Sequence, residues 1–299
     1  MTPALATLGE GARVLIVRLR SLGDCVLTTP ALQLLAAYRP DLQIAVAVED
    51  RFRAVFEGNP YIAAVLPPRV GSVLAWQPRL TINFHGGPRS ALLTAASLAS
   101  RRAGFGHFPQ QWLYTLRIPR AQEILGEERK VHTAEHLASA MFWLGVPKAE
   151  IPRARLFAPP PLARAPYAVI HPFASAAGKA WPAGRFVEVA KNLPVQPVFI
   201  GTMGDDFAPF DGFECVRRAA LAEVMSLIAG AAVFVGNDSG PAHIAAAYGR
   251  PVVVLYGTSD PVIWAPWRTE SQVIDAKGDL AAVPVYAVLD ALERLKVRA

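Results

Sequence analysis

An acidic residue, a hydroxyl residue and a glycine, Asp238, Ser239 and Gly240, stand between an apolar run and a short alanine-rich segment. The apolar run Ala232–Gly236 is typical of a buried parallel strand, and the segment Ala242–Tyr248 is typical of a helix that begins after a capping residue. The free N–H groups and the dipole of a helix start attract anions. The order strand, polar turn and helix therefore predicts an anion-binding site, although it also fits an ordinary capped βαβ unit.

Two further charged residues occupy similar turns. Asp24 follows the apolar run Arg13–Leu19 and stands at the start of the next predicted helix, and Lys179 lies in a glycine-containing loop just before a helix opened by Pro182. The helix dipole favours a carboxylate at a helix start, and a compact ammonium charge suits a bound diphosphate. Taken alone, Asp24 also fits a plain helix cap and Lys179 a solvated surface residue.

Alternating strand and helix patterns predict a first α/β domain. Its strands are expected at Arg13–Leu19, Ile44–Val48, Ala63–Leu66 and Leu80–Phe84, and its helices at about Cys25 to Tyr38, Arg51–Glu57, Ser90–Ala99 and His132–Leu144. Pro30 should kink or restart the first helix, because proline cannot supply the backbone N–H that a helix interior needs. Residues 106–130 show no regular pattern and are expected to be irregular.

Six prolines between residues 145 and 166 indicate a domain boundary, after which the alternation restarts. Strands are expected at Tyr167–His171, Val198–Gly201, near Glu214–Val216, and at Ala232–Gly236 and Val252–Tyr256. Helices are expected at Pro182–Asn192, Ala222–Ala229, Ala242–Tyr248 and about Val285–Leu295. Two successive runs of this kind imply two doubly wound α/β domains with parallel sheets.

The amino-acid composition and net charge limit the kinds of protein and partner that fit this chain. The 299 residues are 53% hydrophobic and 18% charged, which describes a well-filled globular protein. We read no signal peptide and no membrane span, and the two cysteines suit a reducing cytoplasm. The net charge of +6 favours an anionic partner, either a phosphorylated substrate or an anionic membrane surface. Nucleic acid is not expected, because the basic residues are dispersed.

Four stretches together resemble one known family. GNDSGPAHIAAAYGRPVVVLYGTSDP resembles the nucleotide-sugar signature of glycosyltransferase family 9, the bacterial ADP-heptose lipopolysaccharide heptosyltransferases. The stretches VRLRSLGDCVLTTPAL, INFHGGPRSALL and HPFASAAGKAWPAGRF resemble that family in the expected order, so that the resemblance covers Arg13 to about Pro261. It implies the GT-B fold, in which two Rossmann-like doubly wound parallel-sheet domains face each other across a cleft.

The resemblance also implies a domain plan. Residues 1–158 would form the acceptor-side domain and residues 166–284 the domain that binds the nucleotide sugar. The last helix, residues 285–299, would pack back on the first domain.

The resemblance assigns roles to named residues. Asp24 would be the catalytic base of an inverting glycosyl transfer, Lys179 would bind the donor diphosphate, and Asp238 would contact the donor sugar. The other expected site residues are Ser239, Gly240 and His243 at the diphosphate; Thr202, Met203, Gly204, Leu221 and Met225 at the nucleotide; and Arg18, Arg20, Ser21, Gly23, His85 and Gly86 on the acceptor side. His243 also fits a satisfied buried histidine, and the Leu221–Met225 segment also fits plain core. By strand alternation, Arg18 and Arg20 should share a face.

The expected reaction needs neither metal nor cofactor, because the Asp-x-Asp pattern of metal-dependent transferases is absent. The expected donor is ADP-heptose, and the expected acceptor is an anionic glycolipid, a lipopolysaccharide-core or lipid-linked saccharide at the inner face of the cytoplasmic membrane. The chain would act as a cytoplasmic monomer in peripheral contact with that membrane. A nucleotide-sugar epimerase and a non-catalytic nucleotide-sugar binder remain as alternatives. A dehydrogenase is disfavoured, because the turn after the first strand holds one glycine rather than G-x-G-x-x-G.

Overall fold

A computed structural model of the chain describes residues 3–157, 164–174 and 176–297. The chain divides into two compact units, Met1–Phe157 and Ala158–Ala299. This division falls beside the predicted end of the first domain, and residues 158–163 of the predicted boundary segment lie outside the described residues. In the part of the chain that the structure describes, no helix is long and apolar enough to cross a membrane.

The first unit is built on a six-stranded parallel sheet. Its strands are β1 (Arg13–Val17), β2 (Gln43–Ala47), β3 (Ala64–Leu66), β4 (Leu80–Asn83), β5 (Arg101–Phe105) and β6 (Leu116–Ile118). Its helices are α1 (Leu22–Tyr38), α2 (Val70–Trp76), α3 (Pro88–Ala96), α4 (Ala121–Leu125) and α5 (Thr133–Leu144). The strand order across the sheet is β3-β2-β1-β4-β5-β6.

The second unit repeats this plan. Its strands are β7 (Tyr167–His171), β8 (Gln196–Ile200), β9 (Glu214–Val216), β10 (Val233–Asn237), β11 (Val252–Tyr256) and β12 (Ser271–Asp275). Its helices are α6 (Ala183–Lys191), α7 (Leu221–Gly230), α8 (Gly240–Ala247), α9 (Pro261–Trp264) and α10 (Val285–Arg294). The order β12-β11-β10-β7-β8-β9 is the order of the first sheet read from its other edge.

Both sheets confirm the predicted doubly wound α/β architecture, and both have the strand order of a dinucleotide-binding fold. In such a sheet the chain winds one way from the first strand and the other way from the fourth. The crevice beyond the carboxyl ends of those two strands is therefore open to ligands. In this chain the two crevices lie at β1/β4 and at β7/β10.

Helix α1 continues through Pro30 without the predicted restart. Proline leaves the carbonyl of Val26, four residues earlier, without its usual N–H donor. The hydroxyl of Thr29 donates to that carbonyl oxygen at 2.9 Å. A side chain thus replaces the missing backbone hydrogen bond, and the helix runs on to Tyr38.

Residues 106–130 are more regular than expected. They contain the edge strand β6 and the short helix α4. Strand β6 has three residues and is held by parallel pairing of Leu116–Ile118 with Ala103–Phe105 of β5. The pairing partner lies outside the segment, so local periodicity does not reveal the strand. Helix α2 and strand β12 were likewise not predicted.

The last helix packs on the second unit, which differs from the expectation that it returns to the first. Helix α10 buries Val288, Ala291 and Leu292 against the core of the second sheet. Only Val283 and Pro284 separate it from a short 3-10 turn on that core, so the connection holds it close.

An imidazole belongs to the aromatic core of the first unit. The ring of His136 stacks on the buried ring of Phe105 with 4.0 Å between centroids. Burial, reinforced by the charges of His107 and Arg18, lowers the pKa of His136 to about 4. His136 is therefore neutral at pH 7 and packs as an aromatic ring.

We expect acid to destabilise the first unit between pH 6.5 and pH 4. A histidine in an unfolded chain titrates near 6.5, so in this window the unfolded state binds a proton that folded His136 does not. The stabilising effect is complete above the unfolded pKa and is lost as the pH falls towards 4. His136→Gln should reduce the difference in unfolding free energy between pH 7 and pH 5 by about 1–2 kcal/mol, measured by urea unfolding. An unchanged difference would contradict this account.

Candidate functional site

Two loops meet at the β1/β4 crevice of the first unit. One loop follows β1 and leads to α1, and the other follows β4 and leads to α3. The Nδ1 atom of His85 in the second loop lies 3.1 Å from the carbonyl oxygen of Arg20 in the first. Because a carbonyl oxygen can only accept, Nδ1 carries the proton. Burial, and then the charge of Arg18, lowers the pKa of His85 below 6.5, so its Nε2 is a hydrogen-bond acceptor at pH 7.

Asp24 presents an oriented carboxylate beside these loops. Its Oδ2 accepts hydrogen bonds from the backbone N–H of Ser21 at 3.2 Å and from the Ser21 hydroxyl at 3.0 Å. Its Oδ1 lies 3.3 Å from Nη1 of Arg18. Asp24 is the third residue of α1, where the helix dipole favours a negative charge. Its side chain remains 23% exposed, so an incoming hydroxyl can reach it.

Arg18 and Arg20, which alternation predicts on one face, differ in burial. Strand β1 ends at Val17, so the two-residue period no longer applies to the residues that follow it. Arg18 is buried and Arg20 is exposed. Burial lowers the pKa of Arg18 and the neighbouring Asp24 opposes that shift. Gly23 is also buried, whereas Ser21 is exposed.

A buried asparagine shapes the loop after β4. The Oδ1 of Asn83 accepts from the backbone N–H groups of His85 at 2.9 Å and Gly86 at 3.3 Å. Its Nδ2 donates to Ser90 Oγ at 3.1 Å and to the Tyr114 hydroxyl at 2.8 Å. Gly86 has φ +79°, and a Cβ there would lie 2.6 Å from the ring of Phe108. The loop can therefore hold its place only with glycine at this position.

The β7/β10 crevice of the second unit brings the predicted donor residues together. Nζ of Lys179, in the loop after β7, lies 3.3 Å from Oδ2 of Asp238, directly after β10. Their side chains are 31% and 10% exposed. A Cβ on Gly257 would lie 2.2 Å from the carbonyl oxygen of Gly178, so the backbone beside Lys179 sits directly on the end of β11. This contact fixes where the Lys179 loop runs.

Two further residues that sequence analysis did not select tie these loops to each other. Oδ1 of Asn237 accepts from the backbone N–H of Trp181 at 3.0 Å, and its Nδ2 donates to the carbonyl oxygen of Pro172 at 2.8 Å. The Ser239 hydroxyl lies 3.0 Å from Nδ1 of His171. Burial lowers the pKa of His171 to about 4, so this contact involves a neutral imidazole at pH 7.

The start of α8 is the predicted anion site. Ser239 is the residue before the helix and Gly240 is its first residue. His243 lies one turn further and is buried, with 4% of its surface exposed. This burial fits the alternative interpretation as a core histidine, and a contact with the diphosphate stays a prediction.

The predicted nucleotide side is brought together only in part. Thr202, Met203 and Gly204 are exposed after β8, where Oδ2 of Asp205 accepts from the N–H and hydroxyl of Thr202 at 2.6 and 2.8 Å. At the start of α7, Leu221 is half-buried. The prediction that Met225 lines the adenine pocket differs from the structure. Its side chain is fully buried and offers no surface to a base, because it lies on the inward face of α7.

A pattern in the sequence could have identified the two asparagines, Asn83 and Asn237, as residues of the crevices. Asn83 and Asn237 are each the last residue of the fourth strand of their unit, and each precedes a glycine-proline pair. A polar side chain at the end of an apolar strand, followed by a helix start, marks the loop beside the crevice. His171 had no such signal. Among the described residues there is no group of three or more His, Cys, Asp or Glu side chains that could hold a metal ion.

Comparison with protein families places this geometry in context. The model of glycosyltransferase family 9 (heptosyltransferase) matches residues 208–283. The chain is 35% identical over 138 residues to lipopolysaccharide heptosyltransferase 3 of Escherichia coli strain K12, a match that covers 42% of this chain and 40% of the relative's length. It is 24% identical over 287 residues to lipopolysaccharide heptosyltransferase 1 of Salmonella typhimurium, covering 83% of this chain and 89% of that relative.

The solved E. coli heptosyltransferase WaaC shows the same fold. Its structure with ADP matches with a TM-score of 0.79 at 21% identity, covering 95% of this chain and 99% of that one. Its structure with ADP-2-deoxy-2-fluoro heptose matches with a TM-score of 0.76, covering 94% and 99%. The four ordered sequence stretches, the family-model match and these relatives agree with one another. The chain has the GT-B fold, and its residues 208–283 match the model of glycosyltransferase family 9.

Proposed function

We propose that the chain is an inverting, metal-independent heptosyltransferase. It moves heptose from ADP-heptose to a lipopolysaccharide-core or lipid-linked saccharide. The observation that carries this proposal is the pair of charged constellations at the two crevices: an oriented carboxylate at β1/β4, and a lysine and an aspartate beside the start of α8 at β7/β10.

Asp24 serves as the general base. In an inverting transfer the acceptor oxygen attacks the sugar carbon from the side opposite the departing diphosphate, and the acceptor proton must go to a nearby group. A carboxylate suffices when the proton moves late, after positive charge has developed at the sugar carbon. Ser21 and Arg18 fix both carboxylate oxygens, so Asp24 meets the acceptor in one orientation.

Lys179 and the start of α8 stabilise the leaving diphosphate. The ammonium group and the free N–H groups of the helix provide positive charge where negative charge grows in the transition state. Asp238 accepts hydrogen bonds from hydroxyls of the donor sugar, and its distance of 3.3 Å from Lys179 supports neighbouring positions for sugar and diphosphate. These groups take the charge-stabilising role that a metal ion has in other transferases.

The identities of donor and acceptor rest on the relatives. WaaC has been solved with ADP and with a fluorinated ADP-heptose, and the curated relatives are named lipopolysaccharide heptosyltransferases. An acceptor of that kind is an anionic glycolipid, which agrees with the positive net charge of the chain. We infer that the chain works as a monomer at the inner face of the cytoplasmic membrane and binds no nucleic acid.

Asp24→Asn should abolish most turnover and spare donor binding. The amide cannot take the acceptor proton, so kcat should fall by about two to four orders of magnitude. The measurement is ADP release from ADP-heptose in the presence of acceptor, with donor affinity measured separately by calorimetry. Asp50→Asn, an exposed carboxylate of the same unit, is the matched control and should leave kcat unchanged. A kcat for Asp24→Asn above about a third of wild type would remove Asp24 from the role of base.

Lys179→Ala should weaken donor binding and turnover together. The diphosphate is charged in the ground state and gains charge in the transition state, so both steps lose a charge-assisted hydrogen bond. A loss of about ten- to a hundredfold in donor affinity, and a fall in kcat, are expected. Lys191→Ala, at the exposed end of α6, is the control. The assignment fails if affinity and kcat for Lys179→Ala both stay within about twofold of wild type.

Chelation should not abolish transfer. With Lys179 and the α8 start at the diphosphate, kcat after EDTA treatment and desalting should stay within about twofold of the untreated enzyme. Complete inactivation that added divalent metal reverses would show that a metal ion, rather than these groups, supports the leaving diphosphate.

A further inference from the structure

The positive charge of the chain belongs to the first unit. Residues 1–157 carry 18 basic and 11 acidic side chains, whereas residues 158–299 carry 12 and 13. Within the first unit, residues 58–122 contain seven arginines and neither an aspartate nor a glutamate. This acid-free stretch includes α2, α3 and the loop that precedes β6.

The same stretch exposes large apolar side chains. Val70 and Leu74 of α2 are 55% and 42% exposed, Leu92 of α3 is 64% exposed, and Leu98 and Trp112 are 74% and 71% exposed. Arginines are interspersed with them. We define the α2–α3 patch as these five side chains together with Arg13, Arg69, Arg79 and Arg89, which are exposed.

The members of the α2–α3 patch lie on one side of the first unit. Val73 of α2 and Leu93 of α3 pack against the same face of the sheet, so the two helices lie side by side. Nη2 of Arg89 donates to the carbonyl oxygen of Pro68, just before α2, at 3.4 Å. Leu74 and Leu98 line one open hollow of about 680 Å³, which Arg13 and Arg79 also line.

Trp112 is tied to the end of α3. The guanidinium of Arg102 donates to the carbonyl oxygen of Ala99 at 2.9 Å and to that of Leu113 at 3.1 Å. These bonds hold the short 3-10 turn that contains Trp112 beside the residues that follow α3. The exposed indole therefore extends the patch rather than forming a separate feature.

Leu98 adds an independent observation. It follows the end of α3 with φ +52°, a left-handed conformation that glycine or asparagine adopts at much lower cost. Its side chain gains little from packing, because 74% of it is exposed. Packing within the chain therefore does not explain a leucine at this position.

We propose that the α2–α3 patch docks the chain on an anionic lipid bilayer. Leucine and valine side chains insert among acyl chains, tryptophan prefers the interfacial layer, and the exposed arginines contact lipid phosphates. Of these arginines, Arg89 also lies 3.5 Å from a carboxylate oxygen of Glu49. A second copy fits less well, because two arginine-rich surfaces repel each other. Helix α3 runs from the loop of His85 and Gly86, at the crevice of Asp24, towards Leu98 at the opposite edge of the sheet. A bilayer against this side of the unit therefore passes beside the crevice that receives a lipid-linked acceptor. That last step rests on the proposed function.

The test is co-sedimentation with lipid vesicles. Wild-type protein should bind vesicles of equimolar phosphatidylglycerol and phosphatidylcholine, bind vesicles of phosphatidylcholine alone much more weakly, and lose binding at high salt. Arg79→Gln with Arg89→Gln should weaken binding to the anionic vesicles by at least about tenfold. Leu92→Ser with Leu98→Gly should do the same by removing apolar area. Leu98→Gly alone should not lower the Tm, because it relieves the strained φ.

Matched controls lie in the second unit. Arg218→Gln with Arg294→Gln removes the same charge, and Tyr286→Ser removes an exposed apolar side chain; both should bind vesicles like wild type. Absence of anionic preference, or equal weakening by the controls, would overturn the proposal. Loss of a wild-type dimer, rather than of vesicle binding, in the patch variants would assign the patch to a second copy. The vesicle assay contains neither donor nor acceptor, so a negative result would not bear on the proposed transfer reaction. Every patch variant should transfer sugar to a delipidated acceptor at the wild-type rate.

Discussion

The reversal of winding in each parallel sheet is the constraint on which the candidate sites depend. At β1/β4 and at β7/β10 neighbouring strands lead to helices on opposite faces, so the loops beyond them part and leave a crevice. The backbone alone therefore directs N–H groups and helix dipoles towards each crevice, whatever side chains line it. The charged residues that we assign to chemistry, Asp24 in one unit and Lys179 and Asp238 in the other, all stand at these points.

A buried amide holds the loops at each crevice. Asn83 accepts from two backbone N–H groups of its own loop, and Asn237 bridges the loops after β7 and β10. Both side chains are fully buried, so each unmade hydrogen bond would cost the desolvation of a polar group. An asparagine at the end of the fourth strand thus holds loops in both units, whereas the charged residues at the two crevices differ. One crevice presents a carboxylate held by serine and arginine, and the other presents an ammonium group beside a helix start.

The two units share a strand order but differ in net charge. Nearly equal numbers of acidic and basic side chains leave the second unit close to neutral, whereas the first is strongly basic. This division suits a protein in which one unit handles a small nucleotide sugar through a few fixed contacts and the other meets an extended anionic partner. The arginine-rich stretch, residues 58–122, includes β4 and the loop of His85 and Gly86, so the same part of the chain supplies the basic surface and one side of the β1/β4 crevice.

The sequence by itself determined the two α/β units, the boundary near residue 158 and the turns that carry Asp24, Lys179 and Asp238. Those features follow from local apolar periodicity, capping residues and proline density, which each segment shows without reference to any other. The tertiary structure alone decided the rest. It continued α1 through Pro30 by a hydrogen bond from the Thr29 hydroxyl, paired the three-residue β6 with β5, and packed α10 on the core of the second unit. It also buried Met225 and His243, and it selected Asn83, Asn237 and His171 as the groups that position the loops. The pairing of β6, the position of α10 and the contacts of Asn237 and His171 depend on partners distant in sequence, and such contacts leave no local periodicity. The contacts of Thr29 and Asn83 are local, but they depend on side-chain orientations that periodicity does not predict.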